Sequence, residues 1–223
     1  MGARFIVFEG LDSAGKKTQI KLFLEKLKGR EVELLDFPAY STRFGAVVGA
    51  YLRGEFGKKE EVGAELSALL YSLDRYQFKE RMWKALEEGK ILVSNRFTHS
   101  NLFQAAKLPE GEWLKFLEWI EMIDSRMPKP DVVVFLDMPP EVGQKLGHKE
   151  DKGDGKLEGR DYLKGKQFDI HEEDREFQAK VRKAYLKAAE MENWIVVSCA
   201  ENGKIKPPEE IHTDIWKRLE PLL

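Results

Sequence analysis

The sequence predicts an α/β fold built on a parallel sheet of five strands, each buried on both faces. Three observations carry this. Five short, nearly continuous apolar runs recur along the chain, as strands covered on both faces read, whereas half-exposed strands alternate. Between them lie stretches with helical periodicity, so neighbouring strands are joined by right-handed βαβ crossovers. The first apolar run also enters a glycine-rich turn from which a helix departs, an arrangement whose backbone N–H groups cradle anions.

The elements follow in order. Strand Arg4–Glu9 leads through Gly10–Gly15 to a helix over Lys16–Lys28, closed by Gly29 at the position where a left-handed C-cap belongs. Strand Glu33–Phe37 precedes a helix over Phe44–Arg53 and a long one over Glu61–Glu88, which Gly89 closes. Strand Ile91–Asn95 is followed by helices over His99–Lys107 and Glu112–Ser125. Strand Asp131–Asp137 leads to a helix over Pro140–Leu146, and a later helix spans Glu172–Glu190. Strand Trp194–Cys199 and a helix over Pro208–Leu219 end the pattern. Ligands of such sheets bind beyond the carboxyl ends of the strands, where the motifs below fall.

Composition narrows the function classes. A chain of 223 residues, 42% hydrophobic, suits one domain with a real core. A formal net charge of −2 lacks the basic excess of a nucleic-acid footprint. The lone Cys199 excludes an internal disulfide and a cysteine zinc site; it reads as a small residue at a strand end. There is no secretory pattern and no apolar run approaching a membrane span, so a cytoplasmic protein without membrane attachment is expected. The stretch Gly147–Lys166 breaks the rhythm, with five glycines among many charges. A surface loop is the plain reading; beside a phosphate site it reads as a lid that carries cations.

The turn Gly10-Leu11-Asp12-Ser13-Ala14-Gly15-Lys16-Lys17-Thr18 fixes the ligand class as a nucleoside triphosphate. Its N–H groups and the following helix N-terminus face the phosphates, and Lys16 reaches the outer ones. The Gly-x4-Gly-Lys spacing alone arises by chance in roughly one chain in ten of this length, so the flanking strand and helix carry the assignment. Gly10, Ser13, Ala14, Gly15, Lys16, Lys17 and Thr18 are the expected ATP-contacting residues.

Three further clusters point to one family: Leu69-Leu70-Tyr71-Ser72-Leu73-Asp74-Arg75-Tyr76, Ser94-Asn95-Arg96-Phe97-Thr98-His99-Ser100-Asn101, and Pro130–Val142 with its Phe135-Leu136-Asp137 run. With Phe8-Glu9-Gly10-Leu11-Asp12 at the front and Asp169-Ile170-His171-Glu172 near residue 170, the chain resembles thymidylate kinase nearly end to end. The resemblance implies a three-layer P-loop NTPase fold, with helices on both faces of the sheet and a lid over roughly residues 147–168. It implies transfer of the ATP γ-phosphoryl group to dTMP with Mg²⁺, and a homodimer. The alternatives are a P-loop kinase for another nucleotide or a deoxynucleoside, and a nucleotide-binding homologue with impaired catalysis.

Roles carry over residue by residue. Arg75 and Arg96 match arginines that hold the acceptor phosphate and line the transfer path; a guanidinium grips phosphate bidentately where a lysine cannot. Taken alone, Arg75 reads as an ion pair with its neighbour Asp74. Tyr71 matches the aromatic under the thymine ring, though among Leu69, Leu70 and Leu73 it would otherwise be core. Ser100 and Asn101 match residues near the base edge. Asp12 matches an acceptor for the sugar 3′-hydroxyl, and Phe37-Pro38 the segment flanking base and phosphate. The helix with Trp113, Phe116, Leu117, Trp119 and Ile120 serves either core or dimer interface, and core is expected.

Four positions depart from the family pattern. Lys17 stands where a Ser or Thr binds Mg²⁺. Asn95 stands where an aspartate usually precedes the arginine, so Glu9 is the expected replacement carboxylate for the metal, ahead of Asp137. Tyr40 replaces an arginine of some members, and Ser13 an arginine of one subclass. In the other subclass the lid supplies the catalytic cation, which makes Arg160 the candidate, with Lys149, Lys152, Lys156, Lys164 and Lys166 behind it.

Overall fold

A computed structural model describes residues 4–57, 59–143 and 174–223. The five strands are β1 (Phe5–Gly10), β2 (Val32–Asp36), β3 (Ile91–Asn95), β4 (Val132–Asp137) and β5 (Ile195–Ser198). They form one parallel sheet in the order β2-β3-β1-β4-β5. The chain reverses direction across the sheet at β1, so the glycine-rich turn leaves from its centre, where ligands of open α/β sheets bind.

Side chains alternate across the sheet with period two, and the two sets meet different helices. Ile6, Phe8, Val93, Val134, Leu136 and Val197 pack in one buried cluster with Ile20 and Phe23 of α1 (Lys16–Lys26), as do Ile211 and Ile215 farther along the chain. The opposite parity faces the other layer. Phe5, Val7, Leu35, Leu92 and Val133 lie with Met82, Ala85 and Phe97, and Phe135 with Leu102, Leu117, Ile120, Val181 and Tyr185. Each such side chain, fully buried, contributes about 1.5–3 kcal/mol. The helices of this second layer are α4 (Ala64–Tyr76), α5 (Lys79–Glu87), α6 (Leu102–Ala105), α7 (Trp113–Ile123) and α8 (Arg175–Met191). A smaller cluster of Val48, Tyr51, Leu52 and Val62 lies under α2 (Arg43–Leu52) and α3 (Lys59–Val62). The terminal helix α9 (Pro208–Leu219) completes the first layer.

The expected helix over Glu61–Glu88 is three helices. Gly63 at φ 70° ends α3 before α4 starts, a backbone state that glycine adopts without cost. The second break follows Tyr76. There Phe78 N–H bonds Arg75 O at 3.0 Å, a tightened last turn, and the Phe78 ring meets Phe37 edge-on at 5.4 Å. Helix α7 is core, as expected: Trp113, Phe116, Leu117 and Ile120 are buried. The region expected to open with His99 starts as a 3₁₀ turn, Thr98–Asn101. The last helix before β5 starts at Arg175, where Asp174 accepts from Phe177 N–H at 3.0 Å as an N-cap. A two-stranded hairpin, β6 (Ala200–Glu201) and β7 (Lys204–Ile205), was not foreseen. The lid expectation over 147–168, with Arg160 and its lysines, lies outside the described residues; of the expected Pro140–Leu146 helix, residues 140–143 are helical and 144–146 lie outside the described residues. Among the described residues no helix is long and apolar enough to cross a membrane.

Candidate active site

The turn after β1 has the backbone of an anion cradle. Gly10 sits at φ 151°, and a Cβ there would meet Leu136 O at 2.9 Å, so only glycine lets the turn lie against β4. Ser13 (φ 60°) and Gly15 (φ 82°) are both left-handed. Gly15 caps α1 without any side-chain hydrogen bond, and no acidic residue occupies the first turn. The N–H groups that head a helix are thus left for a ligand.

Two cations converge on that turn. Lys16 Nζ donates to Gly10 O at 3.0 Å and to Leu11 O at 2.7 Å. Arg96 donates to the same Gly10 carbonyl at 3.0 Å, and to Asp12 Oδ1 at 2.5 Å. Burial, and then the nearby Arg96 charge, push the Lys16 ammonium down to about 7, against the pull of Asp12, Glu9 and Asp36. Burial also opposes the Arg96 charge, but Asp12, with Tyr185 and Glu9, outweighs it and holds that group above its ordinary range.

Arg96 is held in a costly conformation. Its φ is 65°, unusual for a non-glycine residue and typical of functional sites whose surroundings fix them. Those surroundings are explicit. Arg96 N–H donates to Phe8 O at 2.9 Å, and Ser94 Oγ donates to Arg96 O at 2.6 Å. Beneath the bend lies Glu9, fully buried. Its Oε1 accepts from Phe97 N–H at 2.8 Å. Its Oε2 accepts from Ser100 Oγ at 2.7 Å and from Tyr185 OH at 2.8 Å. Tyr185 stacks on Phe135 with centroids 4.9 Å apart. Burial, with Glu9 adding to it, keeps the Tyr185 phenol well above its ordinary pKa, a donor to the carboxylate at all working pH values.

Sheet parity explains why Glu9 does this. It shares the parity of Phe5 and Val7, hence the α8 layer, not the α1 layer. Asp137 has the same parity as Phe135, and both its oxygens accept from Arg182 of α8, at 2.6 and 2.9 Å. Both carboxylates that the sequence offered to the metal are therefore engaged by the protein. On the α1 side stand Asp36 and Asn95, aligned across β2 and β3, with Asn95 Nδ2 donating to Asp36 Oδ1 at 2.6 Å.

The remaining expected residues form a second group on α4 and the loops around it. Phe37 is buried edge-on to Phe78, and its peptide bond to Pro38 is cis. Tyr71 is half-buried, edge-on to Tyr51 at 6.2 Å. Arg75 is buried but does not pair with Asp74. It donates through Nε to Asp124 Oδ2 at 2.8 Å and through Nη2 to Ser72 Oγ at 2.9 Å. Asp74 instead accepts from Ala39 N–H at 2.9 Å and from Gln77 at 2.8 Å. Asp124 also accepts from Thr98 Oγ1 at 2.8 Å, which ties α4 to the loop that carries Arg96. Asn101 is buried with Nδ2 on Thr98 O at 3.1 Å and Oδ1 unpartnered among the described residues. Lys17 and Thr18 are exposed at the head of α1, and Ala14 is buried beneath the turn. Cys199 is a buried strand-end residue whose thiol burial pushes up to about 12, inert as expected.

Sequence reasoning missed Tyr185, Asp124, Thr98 and Asp36. Tyr185 lies 176 residues from Glu9, so no local pattern joins them. The parity of Glu9 with Phe5 and Val7 was a usable signal.

A family model described as thymidylate kinase matches residues 8–215. A probable thymidylate kinase of Pyrococcus abyssi is 33% identical over 96% of this chain and 95% of that protein. One of Thermococcus onnurineus is 35% identical over 97% of each. The thymidylate kinase of Plasmodium falciparum is 31% identical over 97% of this chain and 89% of its own. A solved thymidylate kinase from Candida albicans shares the fold, with TM-score 0.67 and 23% identity, over 99% of this chain and 92% of that one.

Proposed function

The chain belongs to the thymidylate kinase family and transfers the γ-phosphoryl group of ATP to dTMP, giving dTDP and ADP for dTTP synthesis; from that premise we propose how its own residues share the work. One observation carries the proposal: Lys16 and Arg96 both donate to the same carbonyl, Gly10 O. Phosphoryl transfer spreads charge over several oxygens, so catalysis is chiefly positioning and neutralisation. The two cations rest on carbonyls and Asp12. ATP phosphates entering the cradle of Gly10, Ser13, Ala14, Gly15, Lys17 and Thr18 draw Lys16 off Gly10 O and Leu11 O. Arg96 then exchanges Asp12 for the phosphate being transferred, which frees the Asp12 carboxylate for the sugar hydroxyl. Glu9 and Tyr185 hold the bend on which Arg96 stands.

The acceptor lies between the Phe37-Pro38 turn and α4, with Tyr71 against the base and Ser100 beside it. Asn101 offers there its Oδ1, unpartnered among the described residues, and Arg75, charge-balanced by Asp124, faces the acceptor phosphate. Arg160 is assigned to the phosphates from the lid on the resemblance alone. Mg²⁺, when bound, neutralises phosphate oxygens and needs hard oxygen donors; Thr18, Asp36 and Asn95 are of that chemistry, whereas both Glu9 oxygens are already taken.

We also assign a homodimer. Leu66, Leu69 and Leu73 of α4 are 57%, 37% and 49% exposed, with Phe44 and Val47 of α2 exposed beside them. These leucines recur at helical spacing on one face, an exposed apolar patch of the kind that marks an interface. Light scattering on Leu69→Lys is expected to give a monomer where the parent is a dimer.

The test of function is ADP release from Mg²⁺-ATP with dTMP, beside dUMP, dCMP, dAMP, dGMP and thymidine. Turnover led by dTMP is expected; turnover led by thymidine or a purine monophosphate would overturn the acceptor assignment.

A further inference from the structure

We propose that Asp36, on the edge strand β2, is the carboxylate that faces the metal in this chain, with the Asn95 amide oxygen as its neutral neighbour. The inference rests on reading the glycine-rich turn as the ATP site. At the carboxyl end of the sheet stand Glu9, Asp12, Asp36 and Asp137. Both oxygens of Glu9 accept from Phe97 N–H, Ser100 and Tyr185. Both oxygens of Asp137 are held by Arg182. Asp12 is bound to Arg96. Asp36 differs: Oδ1 accepts from Asn95, and Oδ2 has no partner among the described residues.

Sheet parity adds an independent argument. Leu35 and Phe37 turn toward the α5 side, so Asp36 turns toward α1, the helix that begins at the phosphate turn. Asn95 shares that side, as Ile91 and Val93 do. A groove of about 450 Å³ runs between α1 and the edge strand, and Lys17, Ile20, Lys21, Leu34, Asp36 and Asn95 help to line it. Asn95 is itself nine-tenths buried, and its Oδ1 is unpartnered among the described residues. An orphaned buried acceptor is costly unless something completes it, and a hydrated hard cation beside an open carboxylate would do so. The charge that the family pattern places at residue 95 has in effect moved one strand outward.

Calorimetric ATP titrations test this on the full chain. The parent, Asp36→Asn and the exchange variant Asp36→Asn/Asn95→Asp are each measured in EDTA and at rising free Mg²⁺, with Mn²⁺ uptake by the ATP complex followed by EPR. ATP affinity in EDTA is expected to be undiminished in Asp36→Asn, while the Mg²⁺ and Mn²⁺ needed for half-saturation rise about tenfold. The exchange variant is expected to return within about threefold of the parent. Unchanged metal dependence in Asp36→Asn overturns the proposal, and so does an equal loss of ATP binding with and without metal. A parent that binds no ATP in either condition instead defeats the underlying reading of the turn. A thermal melt confirms that each variant is folded.

Discussion

The two faces of the sheet end differently at its carboxyl edge. On the α8 face, Glu9 and Asp137 are buried or half-buried, and every carboxylate oxygen is engaged by a donor of the chain. On the α1 face the helix N-terminus has no side-chain cap, Lys16 rests on two carbonyls, and among the described residues Asn95 Oδ1 and Asp36 Oδ2 accept no hydrogen bond. At Glu9 and Asp137 the first face is completed by folding; at Lys16, Asp36 and Asn95 the second is left open to ligand. An uncompensated buried charge costs several kcal/mol, so removing a partner on the finished face acts on the fold. Removing a group on the open face acts on binding and catalysis.

The largest effect is expected on the open face. Lys16→Ala should lower kcat/KM for ATP by about 10³-fold, or about 4 kcal/mol of transition-state stabilisation. Its denaturant midpoint should equal or exceed that of the parent, because a buried ammonium held by two carbonyls is removed. A destabilised Lys16→Ala protein would break the comparison.

Glu9→Gln is the counterpart on the finished face. A neutral amide replaces a buried acceptor of three hydrogen bonds, so equilibrium unfolding should show a loss of about 3 kcal/mol. Turnover should fall roughly 10²-fold as the Arg96 bend loosens, with ATP affinity in EDTA unaltered.

His99 directly precedes Ser100, a partner of Glu9. It is buried against Glu192 at 3.1 Å, with Glu121 at 3.7 Å, and its ring meets Trp194 at 4.6 Å. Burial opposes its charge, but the neighbouring Glu121 and Glu192 carboxylates prevail and raise its pKa from 6.5 to about 9. A folded pKa above the unfolded one stabilises fully below pH 6.5, and that contribution is lost as pH rises through 9. It amounts to roughly 2–3 kcal/mol. Urea melts from pH 6 to 10 should show the decline, and His99→Gln should flatten it.

The smallest effect returns to the open face. Burial and the Arg96 charge push Lys16 down to about 7, and bound phosphate raises that value. ATP binding above pH 7 therefore takes up a proton, and affinity should fall up to about tenfold per pH unit as pH rises beyond 7. Calorimetry in buffers of different ionisation enthalpy measures the uptake directly; Lys16→Ala should abolish it.

Much of the fold was legible because it rests on local signals. Continuous apolar runs marked all five sheet strands, with β3 at Ile91–Asn95 matched residue for residue. Glycine spacing located the anion cradle. What escaped depends on distance. The break after Tyr76 answers to Phe78 packing on Phe37, and the partner of Arg75 is 49 residues away at Asp124 rather than next door. Tyr185 reaches Glu9 from a helix on the far side of the sequence. Glu9 is expected at the metal as the carboxylate that replaces the one absent at Asn95; period-two alternation with Phe5 and Val7 places its side chain on the α8 side of β1.

The separation of the two faces is tested most directly by the Mg²⁺ dependence of turnover in Glu9→Gln, measured beside the parent at saturating dTMP. The account predicts a reduced kcat with the Mg²⁺ concentration for half-maximal rate unchanged, because Glu9 acts through the Arg96 bend. A Mg²⁺ requirement raised tenfold or more in Glu9→Gln would contradict it and put the metal on the buried side of β1.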